Sequence, residues 1–174
     1  MSIFKKLFGG SDKSEQNSDN KKFNLEKMLS SDDINGSIIE VDNYISEICS
    51  YGDEMDKLTE EQKHFYYNQC LEREINNGGF NQYFFNSSGD FAHKTVQSLQ
   101  TIGANKTADI LQKAIDQFPN SIVPEDRTER QEILEQIQET VDLVWEELDQ
   151  EFFSYEDDLN TLNFEFVRKN KNKF

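Results

Sequence analysis

The sequence is poor in the residues that commit a chain to covalently stapled or metal-held folds. Among 174 residues it has two cysteines, two histidines, two prolines and one tryptophan. Cys49 and Cys70 show no CxxC spacing and no His pair stands near them. That argues against a disulfide framework and against a structural zinc site, and no metal or cofactor is expected. Both cysteines fall on apolar positions of helical patterns, where a reduced thiol acts as a small buried hydrophobe in a cytoplasmic protein. No run approaches the roughly 20 apolar residues of a membrane span. Bases are scarce as well: 18 Lys and Arg stand against 34 Asp and Glu, a formal net charge of −16. Phosphate contacts need a basic face, so direct nucleic-acid binding is disfavoured and a basic protein partner is favoured. Hydrophobic residues make up only 35%, but 14 phenylalanines supply a core.

What is present is helical periodicity. Residues 1–27 read as a flexible basic tail and linker: Ile3, Phe4, Leu7 and Phe8 are split by Lys5 and Lys6, and a Gly/Ser/Asn/Asp-rich stretch follows. That apolar segment is too short and too interrupted for a secretory leader, and membrane contact through it is not expected. Residues 28–174 read as one all-α domain of about five to seven helices. Ile34, Ile38, Val41, Ile45 and Ile48 step by 4, 3, 4 and 3 along one helix face. Thr59 and Gln62 make a capping box for the next helix, whose apolar face holds Phe65, Tyr67, Leu71 and Ile75. Asn76-Asn77-Gly78-Gly79 is expected to end that helix, with glycine in the left-handed position. Phe80 to Phe85 then reads as a short aromatic hook, and Asp90 as the cap of a helix carrying Ala92, Val96 and Leu99. Asn105 is expected to cap the helix of Ala108, Leu111 and Ile115, and Asp126 opens the longest helix, to about Phe152. The closing segment, with Leu159, Leu162 and Phe166, fits a helix or a strand.

The charge is unevenly spread. Residues 125–158 hold two bases and fourteen acids, net −12, whereas residues 1–27 and 159–174 are net +2 and +3. On the long helix Glu129, Glu132, Glu135, Glu139, Asp142, Glu146 and Asp149 recur at spacings of 3 or 4. Ile133, Ile137, Val141, Val144, Leu148 and Phe152 form a second row, with Trp145 beside it, on the nearly opposite face. A solvated helix face normally mixes signs; here the one acid–base pair at this spacing is Asp126 with Arg130. Like-charge neighbours at this spacing cost about 0.2–0.5 kcal/mol each. At ~1.5 Å per residue the acid row runs about 30 Å, close to one turn of duplex DNA. Its charges are sparser, at about 5 Å against ~3.4 Å along one DNA strand. The spacing permits DNA imitation without requiring it.

The segment from Glu74 to Asp90 is the most distinctive. Asn77-Gly78-Gly79-Phe80, Gln82-Tyr83-Phe84, Asn86 and Gly89-Asp90 resemble the signature of the bacterial DNA-mimic protein family, long catalogued as a domain of unknown function. Leu99–Ala104 and the helix near Leu159–Arg168 are similar too, and the resemblance covers about residues 35–170. It implies an all-α, acidic homodimer whose surface imitates DNA and occupies a helix-turn-helix transcription regulator. The signature residues are mostly uncharged, so they are read as fixing the fold, with Phe80, Tyr83, Phe84 and Phe85 burying the hook and Asn77, Gln82 and Asn86 satisfying helix-end backbone groups. The partner-binding surface is assigned to the seven acids from Glu129 to Asp149. An immunity-type protein neutralising a basic nuclease toxin would use the same field and is the alternative. An enzyme is not expected: neither His64 nor His93 sits in a metal-protease frame, and no nucleophile elbow, phosphate loop or dinucleotide fingerprint occurs.

Overall fold

A computed structural model describes residues 23–174, in which seven α-helices and five short 3₁₀ turns leave no strand. The Ile3–Phe8 segment lies outside the described residues. Helix α1 (Leu25–Leu29) starts three residues before the compositional boundary at Met28, whose side chain is buried, and Phe23 stacks on Tyr44 with ring centroids 3.7 Å apart. Helix α2 (Ile34–Ile48) buries Ile38, Val41 and Ile45 as the periodicity requires. Asp33 caps it by accepting the Gly36 N–H.

Helix α3 (Glu60–Phe85) is the axis of the molecule. Its capping box forms as expected: Thr59 Oγ1 accepts the Gln62 N–H, and Gln62 Oε1 accepts the Thr59 N–H. The expected stop at Asn76–Gly79 is instead a break inside one helical run. Gly78 is extended at φ −169° and Gly79 takes φ +70°, after which Phe80–Phe85 resume helical backbone. Two glycines interrupt the hydrogen-bond ladder, but the aromatic face beyond them packs so well that the chain turns back into helix. Phe80, Tyr83 and Phe84 are fully buried, whereas Phe85 is 52% exposed, under the Arg127 guanidinium.

Helices α4 (Ala92–Ile102) and α5 (Asn105–Ile115) form a hairpin closed by Gly103 in the left-handed conformation, φ +87°. Neither has the cap expected for it. Asp90 lies within a 3₁₀ turn and its carboxylate faces Arg130, while Asn105 is the first residue of α5 rather than its cap. The start of α5 is satisfied from afar: Asp157 Oδ2 accepts the N–H and hydroxyl of Thr107, at 2.8 and 3.1 Å. Helix α6 (Arg127–Phe153) is capped by Asp126, which accepts the Glu129 N–H. The closing segment resolves as helix, α7 (Leu159–Lys169), capped by Asp158.

The core has two lobes along α3. One lies between α3, α4, α5 and α6, where Phe84, Phe118 and Trp145 meet with centroids 4.9–5.9 Å apart. The Trp145 indole N–H donates to the Ala114 carbonyl. Burying each such aromatic side chain contributes about 1.5–3 kcal/mol. The other lobe joins α1, α2 and α7 to the first half of α3, around Ile45, Phe65 and the buried thiols of Cys49 and Cys70. Burial pushes the Cys70 thiol up to about 11, so it stays protonated at neutral pH. Asn68 and Asn163, both fully buried, join α3 to α7 through an amide–amide hydrogen bond of 3.1 Å.

Candidate acidic binding face

Helix α6 turns its apolar side toward α3 and α5, but the buried row is not quite the expected one. Leu134, Val141, Trp145, Leu148 and Phe152 are buried, Ile133 and Ile137 only partly, and Val144 is exposed. The same row contains Arg130, which is fully buried. Its expected partner Asp126 receives only the Arg130 backbone N–H. The guanidinium reaches into the signature turn. Nε donates to the Phe84 carbonyl at 2.6 Å, and Nη2 to the Asn86 carbonyl at 2.9 Å and to Asp90 Oδ1 at 2.5 Å. Nη1 donates to the carbonyls of Pro124 and Glu125, at 2.6 and 3.2 Å. The planar fork of donors is thus fully used, which is the condition under which a buried guanidinium is tolerated. Gly89 leaves the room: a Cβ there would lie 2.8 Å from Arg130 Nε and 3.0 Å from the Phe84 carbonyl oxygen.

The far end of α6 is fastened by an acid. Phe80 is the first residue after the glycine break, so its N–H has lost its helical acceptor. Asp149 Oδ1 accepts it at 2.9 Å. This is N-capping supplied from another helix, with a negative charge at the positive end of the restarted segment. A Cβ at Gly79 would collide with the same carboxylate. Burial raises the Asp149 carboxyl to about 6, against the lowering effect of the Phe80 N–H, and Glu146 nearby adds to the rise. Glu74 organises the rest of the signature. Its carboxylate accepts the side-chain amides of Gln82 (2.7 Å) and Asn86 (2.9 Å) and the Ser88 hydroxyl (3.1 Å). Gln82 and Asn86 therefore serve this carboxylate rather than helix-end backbone, and Asn77 is exposed.

With its two ends fixed in this way, α6 presents the other acids outward. Glu129, Glu132, Glu135, Glu139, Asp142 and Glu146 are all exposed. Among the described residues none of these six is ion-paired, although eight ion pairs form elsewhere. Asp142 has one neutral neighbour, the Asn81 amide, at 3.3 Å. Asp149 stands apart, partly buried and hydrogen-bonded. The cause is geometric: a row averaging about 3.3 residues per step slips backward around a helix of ~3.6 residues per turn and reaches the margin of the packed face by its last member. Acids off the row add to the field, including exposed Glu147 and Glu156.

The two histidines have structural partners. His93 Nε2 accepts the Val123 N–H, and His64 Nδ1 lies 2.8 Å from the Ser98 hydroxyl. Among the described residues no group of three or more His, Cys, Asp or Glu side chains is arranged to hold a metal ion, and no helix is long and apolar enough to cross a membrane.

Sequence reasoning missed Arg130 and Glu74 as organising residues. The signal for Arg130 was a single base standing four residues before Leu134, on the apolar row. For Glu74 it was an acid eight and twelve residues before two signature amides.

No curated protein and no solved structure matches this chain. A family model does: the DMP19-like protein family matches residues 56–170, about two thirds of the chain, from the turn before α3 to the end of α7. The matched span contains the signature, the residues that anchor it and the whole of α6, and the chain belongs to this DMP19-like, DNA-mimic family.

Proposed function

We propose that the chain is an acidic protein-binding module in which the exposed face of α6 stands in for a DNA backbone and occupies a basic DNA-binding protein, such as a helix-turn-helix transcription regulator. The observation that carries this reading is the set of six exposed carboxylates, free of ion pairs within the described residues, on one helix of 27 residues. A solvated face with no partner is normally neutralised by interspersed lysine; this one keeps its repulsion. The mechanism is competitive. Arginine and lysine side chains that would hold phosphates pair with Glu129, Glu132, Glu135, Glu139, Asp142 and Glu146, and DNA loses access. Asp149 contributes by holding the helix in place.

Family membership supports a DNA-mimic, protein-binding role. The homodimer is supported by Leu143, 75% exposed on α6 beside Val144. A second copy across this apolar spot would bring a second acid row alongside the first and raise the charge density toward that of a duplex. The buried, unbridged thiols of Cys49 and Cys70 suit a cytoplasmic location. The test is affinity capture from native cytosol at low salt, followed by elution with duplex DNA. Release of a basic protein by DNA, and by moderate salt, is expected. Capture that resists both would contradict the reading.

A further inference from the structure

A crevice of about 220 Å³ runs between α2 and α3, on the lobe away from the α4–α5 hairpin. Its walls include Ile38, Ile39 and Asp42 from α2 and Gln69, Glu72 and Arg73 from α3. Two of these residues carry polar atoms that are buried yet have no hydrogen-bond partner: the donor Gln69 Nε2 and the acceptor Asp42 Oδ1. Gln69 is only 8% exposed, so bulk water does not reach its amide freely. Leaving such groups unpaired is costly, and native interiors rarely do so. The rest of the wall is satisfied. Asp42 Oδ2 takes Arg73 Nη1 at 2.7 Å, and Glu72 Oε1 takes the Tyr155 hydroxyl at 3.2 Å. The volume exceeds the ~30 Å³ share of one water several-fold.

The orphaned pair selects the chemistry of an occupant. An anion would face the carboxylates of Asp42 and Glu72. A cation would face Arg73, which already neutralises Asp42, and would leave the Gln69 donor unanswered. A neutral group with a donor and an acceptor on one edge meets both: its carbonyl accepts from Gln69 Nε2 and its N–H donates to Asp42 Oδ1. Ile38 and exposed Ile39 offer apolar contact for a short aliphatic stem. We propose that this crevice is a carboxamide-binding site, taking the side chain of a glutamine or asparagine on a docking polypeptide. It involves none of the α6 acids, so it stands or falls apart from the DNA-mimic reading.

The test uses the full ¹⁵N-labelled chain and the capped amino acid N-acetyl-glutamine methylamide, with N-acetyl-leucine methylamide as the probe lacking only the side-chain amide. The expected result is a saturating shift of the Gln69 side-chain NH₂ resonance and of the Ile38 and Ile39 backbone amides with the glutamine probe alone. Gln69→Leu removes the donor while keeping an apolar side chain in the wall, and should abolish saturation at Ile38 and Ile39 with the remaining spectrum unchanged. Acetamide, added separately, distinguishes the sources: binding weaker than that of the capped glutamine supports a polypeptide side chain, and equal binding assigns the site to a small free amide. Equal, linear shifts with the glutamine and leucine probes, or undiminished saturation in Gln69→Leu, would overturn the proposal and leave the crevice to solvent.

Discussion

The two ends of α6 are fastened to the same signature by opposite chemistry. At the N-terminal end a base, Arg130, is fully buried and spends its donors on five oxygens. At the C-terminal end an acid, Asp149, is partly buried and accepts one backbone N–H. Between them the helix spends nothing on the fold with its outward acids. The comparison teaches that net charge is a poor guide to role: the one base within the acid row's span and the last acid of the row are structural, and the six acids between the anchors are available to a partner.

The largest expected effect is at the base. Arg130→Met should destabilise the protein by about 3–5 kcal/mol in urea unfolding, because the carbonyls of Phe84 and Asn86 and the carboxylate of Asp90 lose their donor together. A loss well under 1 kcal/mol would mean that the signature turn holds itself. Next comes the glycine break. Gly79→Ala forces a side chain into φ +70° and into the Asp149 carboxylate, and a loss of about 1–3 kcal/mol is expected from strain of this kind. Thermal denaturation showing no loss would place the break under no such constraint.

A smaller effect, of opposite sign, is expected from the acid row. Glu132, Glu139 and Glu146 alternate with the other acids, so reversing all three to lysine turns each like-charge neighbour into an opposite one. The urea midpoint should rise modestly, and a fall would show that these side chains serve the fold. The smallest shift belongs to Asp149→Asn, which keeps an acceptor for Phe80 and removes a charge. The sign of its pH effect follows from linkage. With its carboxyl raised to about 6, Asp149 holds its proton more tightly folded than unfolded. Its contribution to stability is therefore greatest below about pH 4, the unfolded value, and declines as pH rises to about 6. Stability measured across that window should decline less in Asp149→Asn than in the parent; identical profiles would remove Asp149 as the source.

The fold was largely legible because its helices announce themselves by period and by caps within three residues, such as Thr59 with Gln62 and Asp126 with Glu129. The errors share one cause, which is dependence on distant chain. Asn76–Gly79 looks like a stop because local rules give glycine that meaning; it became a break because Phe80 and Phe84 had a core to enter and Asp149 had an acceptor to offer. Asp90 looked like a cap until Arg130, forty residues on, claimed its carboxylate. Thr107 is capped by Asp157, fifty residues away, which no local pattern announces. The acid face was legible as spacing, except that its drift relative to the helical repeat, readable from the numbers alone, already set Asp149 against the packed side.

The central claim is that the outward acids of α6, and not the chain's charge as a whole, bind a basic partner in place of DNA. The most direct measurement is the affinity of the captured partner for the full chain and for its Glu132→Lys, Glu139→Lys, Glu146→Lys variant, titrated at low and moderate salt with duplex DNA as competitor. The account predicts at least a hundredfold loss in the variant, on the order expected when close charge pairs are reversed, with a flatter salt dependence than the parent. Equal affinity and equal salt dependence in the two proteins would contradict it.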